Sequence, residues 1–123
     1  MELEYASDKL KLQCTKIDEA MRLLGGNRPV ANSLLARINA LKQATTIKDI
    51  TVQPQFHFHN LQNKNGKNLD GYFAIDARGR NDPWRIIIQP LNENRETYVP
   101  CHIDEIADKV RIIMIEEVSK HYE

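Results

Sequence analysis

Residues 71–90 read GYFAIDARGRNDPWRIIIQP, two apolar runs joined by a short charged turn. YFAIDA and WRIIIQP have the composition of strands, and RGRNDP between them has the Gly, Asn, Asp and Pro of a tight turn. The stretch is therefore a β-hairpin, and the second arm is apolar enough to lie inside a sheet. Each arm also carries one charge, Asp76 in the first and Arg85 in the second. A charge in a strand is unfavourable unless it faces water or meets a partner. Two readings stay open: a cross-strand Asp76–Arg85 pair, or a sheet face turned toward a charged substrate, with Asp76 orienting Arg85.

Working outward, the period changes on the N-terminal side. FHFHNL at 56–61 alternates, placing Phe56 and Phe58 on one face and His57 and His59 on the other. QNKNGKNLDG at 62–71 is polar and rich in Asn and Gly, which predicts a loop or a wide hairpin turn. Further back, Leu10, Cys14, Ile17, Met21 and Leu24 recur at steps of four and three, so they share one helical face. Ser7-Asp8 supplies an N-cap and Gly25-Gly26 a stop. Asn27-Arg28-Pro29 opens a second helix whose apolar face is Val30, Leu34, Leu35, Ile38 and Leu41. The short link makes the two helices an antiparallel hairpin. MELEY predicts an N-terminal strand. On the other side, residues 103–109 are helix-compatible and VRIIMIEEV at 110–118 predicts a last strand, unless the helix runs on into it.

The order predicts a single α+β domain over residues 1–123. An N-terminal strand and an antiparallel helix hairpin pack on a small antiparallel sheet. With 41% apolar and 28% charged residues the chain can bury a modest core and is not of disordered composition. No apolar run approaches the ~18 residues of a membrane span, so no membrane partner is expected. Cys14 and Cys101 lie far apart without metal spacing, and no signal-peptide layout opens the chain, which together suggest the reducing cytoplasm.

Charge is balanced in total, 17 basic against 17 acidic residues, but not in distribution. Residues 1–50 hold 8 basic and 6 acidic side chains, residues 51–92 hold 5 and 3, and residues 93–123 hold 4 and 8. Binding to nucleic acid must therefore rest on a local patch. Lys64, Lys67, Arg78 and Arg80, in turns beside the hairpin strands, form with Arg85 the one basic cluster without many interleaved acids. Trp84 beside Arg85 is either core or a platform for a base.

Taken together, His59 and Leu61, then Gly71, Phe73, Ala74 and Asp76, then Trp84 and Arg85, and finally His121 and Tyr122, resemble the pattern of the HigB-like branch of the RelE/ParE toxin superfamily. The resemblance implies a RelE-like fold and the toxin of a type II toxin–antitoxin pair. Its expected partners are a cognate antitoxin, the ribosome and messenger RNA. Most characterised members are ribosome-dependent endoribonucleases, and a ParE-like minority inhibits DNA gyrase without RNA chemistry. The chain differs from that pattern in its Lys120-His121-Tyr122 tail, its neutral charge, and an acidic insertion at about 93–110 that holds Cys101 and His102.

RNA cleavage requires activation of a 2′-hydroxyl, stabilisation of charge on phosphorus, and protonation of the leaving 5′-oxygen. Arg85 suits the second task, because its planar donors meet phosphate oxygens bidentately. His121, Tyr122 and His59 suit proton transfer and base contact. Lys64, Lys67, Arg78, Arg80 and Trp84 would bind RNA. No cofactor is required. Two other classes compete: a non-enzymatic binder such as a gyrase inhibitor, and a zinc hydrolase using His57 and His59. The zinc would need a third ligand from His102, Cys101, Asp76 or His121.

Overall fold

The computed structural model describes residues 1–61 and 68–120. Lys64, Lys67, His121 and Tyr122, all singled out above, lie outside the described residues. The chain opens with β1 (Glu2–Tyr5) and three helices, α1 (Asp8–Thr15), α2 (Ile17–Leu23) and α3 (Arg28–Gln43). A short α4 (Lys48–Thr51) and a 3-10 turn (Pro54–Phe56) lead to β2 (His59–Asn60), β3 (Phe73–Asp76) and β4 (Arg85–Leu91). A one-turn α5 (Ile103–Ile106) and β5 (Ile112–Ser119) close it. Among the described residues no helix is long and apolar enough to cross a membrane.

The expected helix starts hold at the level of single bonds. Ser7 Oγ accepts from the Leu10 amide at 3.1 Å, and Asn27 Oδ1 accepts from Val30 at 3.3 Å, with Pro29 in the first turn. Gly25 and Gly26 both take positive φ, the conformation that ends the helix before them. The first helix is not continuous, however. Lys16 is extended and divides it into α1 and α2. β-Branched Thr15 and Ile17 flank that break, and such side chains give the helix little support there. The apolar stripe survives the break: Leu10, Cys14 and Leu24 are buried, joined by Ala20. In α3, Val30, Ala31, Leu34, Ile38 and Leu41 are buried against the sheet layer.

The fold is mixed α+β. The sheet has five strands in the order β1-β5-β4-β3-β2. It corrects the expectation of a purely antiparallel sheet, because β1 runs parallel to β5 while every other pair is antiparallel. Parallel neighbours need a long connection, and here the rest of the chain lies between them. Phe73, Ile75, Ile86, Ile88, Ile113 and Ile115 face the helices and form the main core. Ala74 and Ile87, on the opposite face, are buried with Leu61 and Leu69.

FHFHNL forms no long strand. Pro54–Phe56 is a 3-10 turn, His57 is left-handed (φ 51°, ψ 48°), and only His59–Asn60 pair with β3. The expected division of faces still holds. Phe56 and Phe58 pack into the core, while the imidazoles of His57 and His59 stack with centroids 4.4 Å apart. Residues 44–53, given no element by periodicity, include Ile47 and Ile50, both buried between the helices and the sheet. The 93–110 segment is tied to the sheet by Arg95, which forms ion pairs with Glu2 and Glu4 of β1.

Candidate functional site

The hairpin register sets the site. Asp76 stands opposite Arg85, and Arg85 opposite Ser119, so one row of polar side chains crosses β3, β4 and β5. The next row is His59, Ala74, Ile87 and Glu117. Asp76 is 1% exposed and Arg85 8%. A charge this buried needs a close partner.

Each finds one. Asp76 Oδ1 lies 3.2 Å from Arg85 Nε and 3.2 Å from His57 Nδ1. The Arg85 contact is ionic only, since the Nε–H is not aligned on the carboxylate as a hydrogen bond. The cross-strand pair is thus real and buried. The remaining donors of Arg85 turn inward on its own hairpin. Nη1 donates to the carbonyls of Asp82 and Trp84, and Nη2 to that of Arg80 at 3.3 Å. Asp82 closes the same turn, its Oδ1 accepting from the Trp84 amide at 3.0 Å. The guanidinium that sequence placed on a substrate phosphate is therefore occupied in holding the β3–β4 turn.

His57 is the group with a chemical outlet. An ionised Asp76 only accepts, so His57 Nδ1 carries the hydrogen between them. In the neutral ring Nε2 then holds the lone pair, and 29% of the His57 side chain is exposed. An imidazole held in this tautomer by a carboxylate offers Nε2 as a proton acceptor. The left-handed backbone at His57 is a conformation non-glycine residues adopt rarely, and it concentrates at functional sites. His59 Nδ1 donates to the His57 carbonyl at 2.7 Å, fixing the second ring against the first.

Arg37, which no sequence signal marked, holds this arrangement from the helix layer. Its Nη2 donates to the carbonyls of Gln55 (3.0 Å) and Arg78 (3.1 Å), and its guanidinium lies 4.7 Å from the Phe56 ring centroid. It joins α3 to both segments that carry His57 and Asp76. Only a polar residue beside buried Ile38 was visible in the sequence.

The other expected residues divide. Arg78 and Arg80 are exposed on the β3–β4 turn. Trp84 packs partly on the main core, with Lys120 Nζ 5.9 Å from its ring centroid. It lies on the helix side of the sheet, away from Asp76 and Arg85. Cys101 is half-buried, and burial raises its thiol pKa; burial pushes the Cys14 thiol up to about 12. Neither is an activated nucleophile. Among the described residues no group of three or more His, Cys, Asp or Glu side chains is placed to hold a metal ion. His57 and His59 thus gain no third ligand from Cys101, His102 or Asp76.

The fold and its site define a mixed α+β domain with a buried carboxylate between a histidine and an arginine. No family model, curated protein or solved structure matches the chain.

Proposed function

We propose that the chain binds RNA at the hairpin end of its sheet and cleaves it with side chains alone, His57 acting as the acid–base group. The observation that carries this reading is the His57 Nδ1–Asp76 contact of 3.2 Å on a part-exposed imidazole. In the step envisaged, His57 Nε2 takes the proton of a 2′-hydroxyl. That oxygen bonds to the adjacent phosphorus as the bond to the 5′-oxygen breaks. The products are a cyclic 2′,3′-phosphate and a 5′-hydroxyl, whose proton comes from a second acid. His59, stacked on His57, is the described residue nearest that task. Arg78 and Arg80 supply phosphate contacts, and Arg85 is a positioning residue acting through Asp76 and the turn.

In its finer form this is the toxin of a toxin–antitoxin pair, acting in the cytoplasm on messenger RNA in the ribosome and silenced by its antitoxin. That form rests on the resemblance of residues 59–90 and on the roles it implies for His121 and Tyr122. The alternative is a non-enzymatic binder such as a gyrase inhibitor. The enclosure of Arg85 favours it, because the strongest phosphate ligand in the hairpin is turned inward.

Induced expression with primer-extension mapping of cellular transcripts tests both. The comparison is wild type against His57→Asn, because asparagine tolerates the left-handed backbone and keeps a donor for Asp76 but cannot titrate. Cuts that vanish in the variant support the nuclease. Growth arrest that persists without cuts supports the binder, and cuts that survive in the variant remove His57 from the chemistry.

A further inference from the structure

We propose that a cleft of about 280 Å³ beside His59 seats a single unstacked RNA base, and that Asp104 makes guanine its preferred occupant. This deepens the RNA reading above and rests on it. The cleft lies where β2 meets the end of α4 and the start of α5. It is lined by Thr51, Phe58, His59, Asn60, Ile103 and Asp104. Pockets for drug-sized ligands span about 300–1,000 Å³, so this one suits a single base.

One of its walls carries an aromatic ring. Phe58 is half-buried and stacked on Phe73, centroids 4.9 Å apart at 15°, which fixes the orientation of its ring. Proteins that read single-stranded RNA stack splayed bases on such rings and hydrogen-bond their edges. Two of the edge-reading groups here, Asp104 and Thr51, are acceptors. Asp104 presents a carboxylate that pairs with no cation among the described residues. The Thr51 hydroxyl gives its hydrogen to the Lys48 carbonyl at 3.1 Å and keeps its lone pairs.

Guanine is the base whose pairing edge places two donors, N1–H and the 2-amino group, side by side. Both oxygens of one carboxylate can accept from them at once. Adenine and cytosine set a single amino group beside an acceptor nitrogen, and uracil flanks its one N–H with two carbonyls, so each would face the carboxylate with a lone pair. The acidic start of α5, Asp104 and Glu105, also disfavours phosphate at the cleft, leaving the base as the part admitted. Phosphate is left to the other direction along the strands. His57 lies there, its ring centroid 4.4 Å from that of His59, and beyond it the Arg78–Arg80 turn. Adjacent same-face rows of a sheet are separated by about 7 Å, close to one nucleotide step.

The test is titration of purified protein with guanosine 3′-monophosphate and, separately, adenosine 3′-monophosphate, read by amide and aromatic NMR shifts. A mixed-sequence RNA oligonucleotide is titrated in parallel. Guanosine monophosphate should bind about tenfold or more tighter than the adenosine form and shift Phe58, Asn60 and Asp104. Asp104→Asn, an isosteric change at an exposed position, should remove that preference. Equal affinities, shifts elsewhere, or a preference that survives Asp104→Asn would overturn the proposal. If the oligonucleotide binds while the mononucleotides show no preference, the base cleft fails and the RNA reading stands. If none of the three binds, both fail.

Discussion

At Asp76, one carboxylate oxygen lies 3.2 Å from both an imidazole nitrogen and a guanidinium nitrogen, and the residue is 1% exposed. Removing either charged partner of such a buried pair leaves the other uncompensated, which costs about 3–5 kcal/mol. Arg85→Ala should therefore lower the urea-unfolding free energy by roughly that amount, whereas truncating a solvent-facing arginine changes it by about 0.5 kcal/mol or less. It follows that loss of activity in Arg85→Ala would not identify a phosphate ligand. His57→Asn should stay within about 1 kcal/mol of wild type in the same assay, because the left-handed backbone is preserved. Thiol labelling gives a separate check at this scale. Cys101 should react with an aromatic disulfide in the folded protein, while Cys14, buried and with its pKa pushed up to about 12, should react only on unfolding. In the sequence, Asp76 and Arg85 were conspicuous because charges interrupt apolar strands, but their pairing across the hairpin was one of two readings that the letters left open. His57 was not, because the left-handed turn that brings it to Asp76 has no signature in the letters FHFH.

Among the elements, α3 carries the clearest packing. Leu34 is fully buried between the helices and the sheet, so Leu34→Ala should cost about 2–5 kcal/mol by denaturant unfolding. β5 carries a pH-dependent penalty. Its register shifts between Ile87 and Ile88, which face Glu117 and Ile115, leaving Glu116 as the extra residue of a bulge. Burial first, and then the neighbouring Glu117 charge, raises the Glu116 pKa above the usual 4.5. The folded state then holds the proton more tightly than the unfolded one. Its stabilising contribution is present below the unfolded pKa and is lost as pH rises through the folded value. Glu116→Gln should therefore be more stable than wild type at neutral pH, with the difference closing toward pH 4 in paired urea titrations. The elements legible in advance were those with local punctuation: Ser7 and Asn27 as caps, Gly25-Gly26 as a stop, RGRNDP as a turn. The parallel β1–β5 pairing was not legible, because nothing near residues 2–5 specifies a partner at 112–115. The short α4 was missed because one helical turn is too brief to show a period.

For the whole molecule, zero net charge limits how RNA could be held. Arg78 and Arg80 are the exposed basic residues on the β3–β4 turn, so few phosphates are neutralised there. With about two such contacts, log affinity for single-stranded RNA should fall against log salt with a slope of only about −1.4. A steep slope in fluorescence titrations across salt would place the RNA elsewhere. All of the proposed chemistry depends on which imidazole nitrogen of His57 carries the hydrogen. Long-range ¹H–¹⁵N NMR on the protein, at a pH where the ring is neutral, reads this directly. A dominant Nδ1–H tautomer, shifted toward a mixture in Asp76→Asn, is the expected result. A dominant Nε2–H tautomer in the wild type would contradict it, because the lone pair of His57 would then sit on Nδ1 beside Asp76, leaving none at Nε2 to take a proton, and Asp76 would not be its hydrogen-bonded partner.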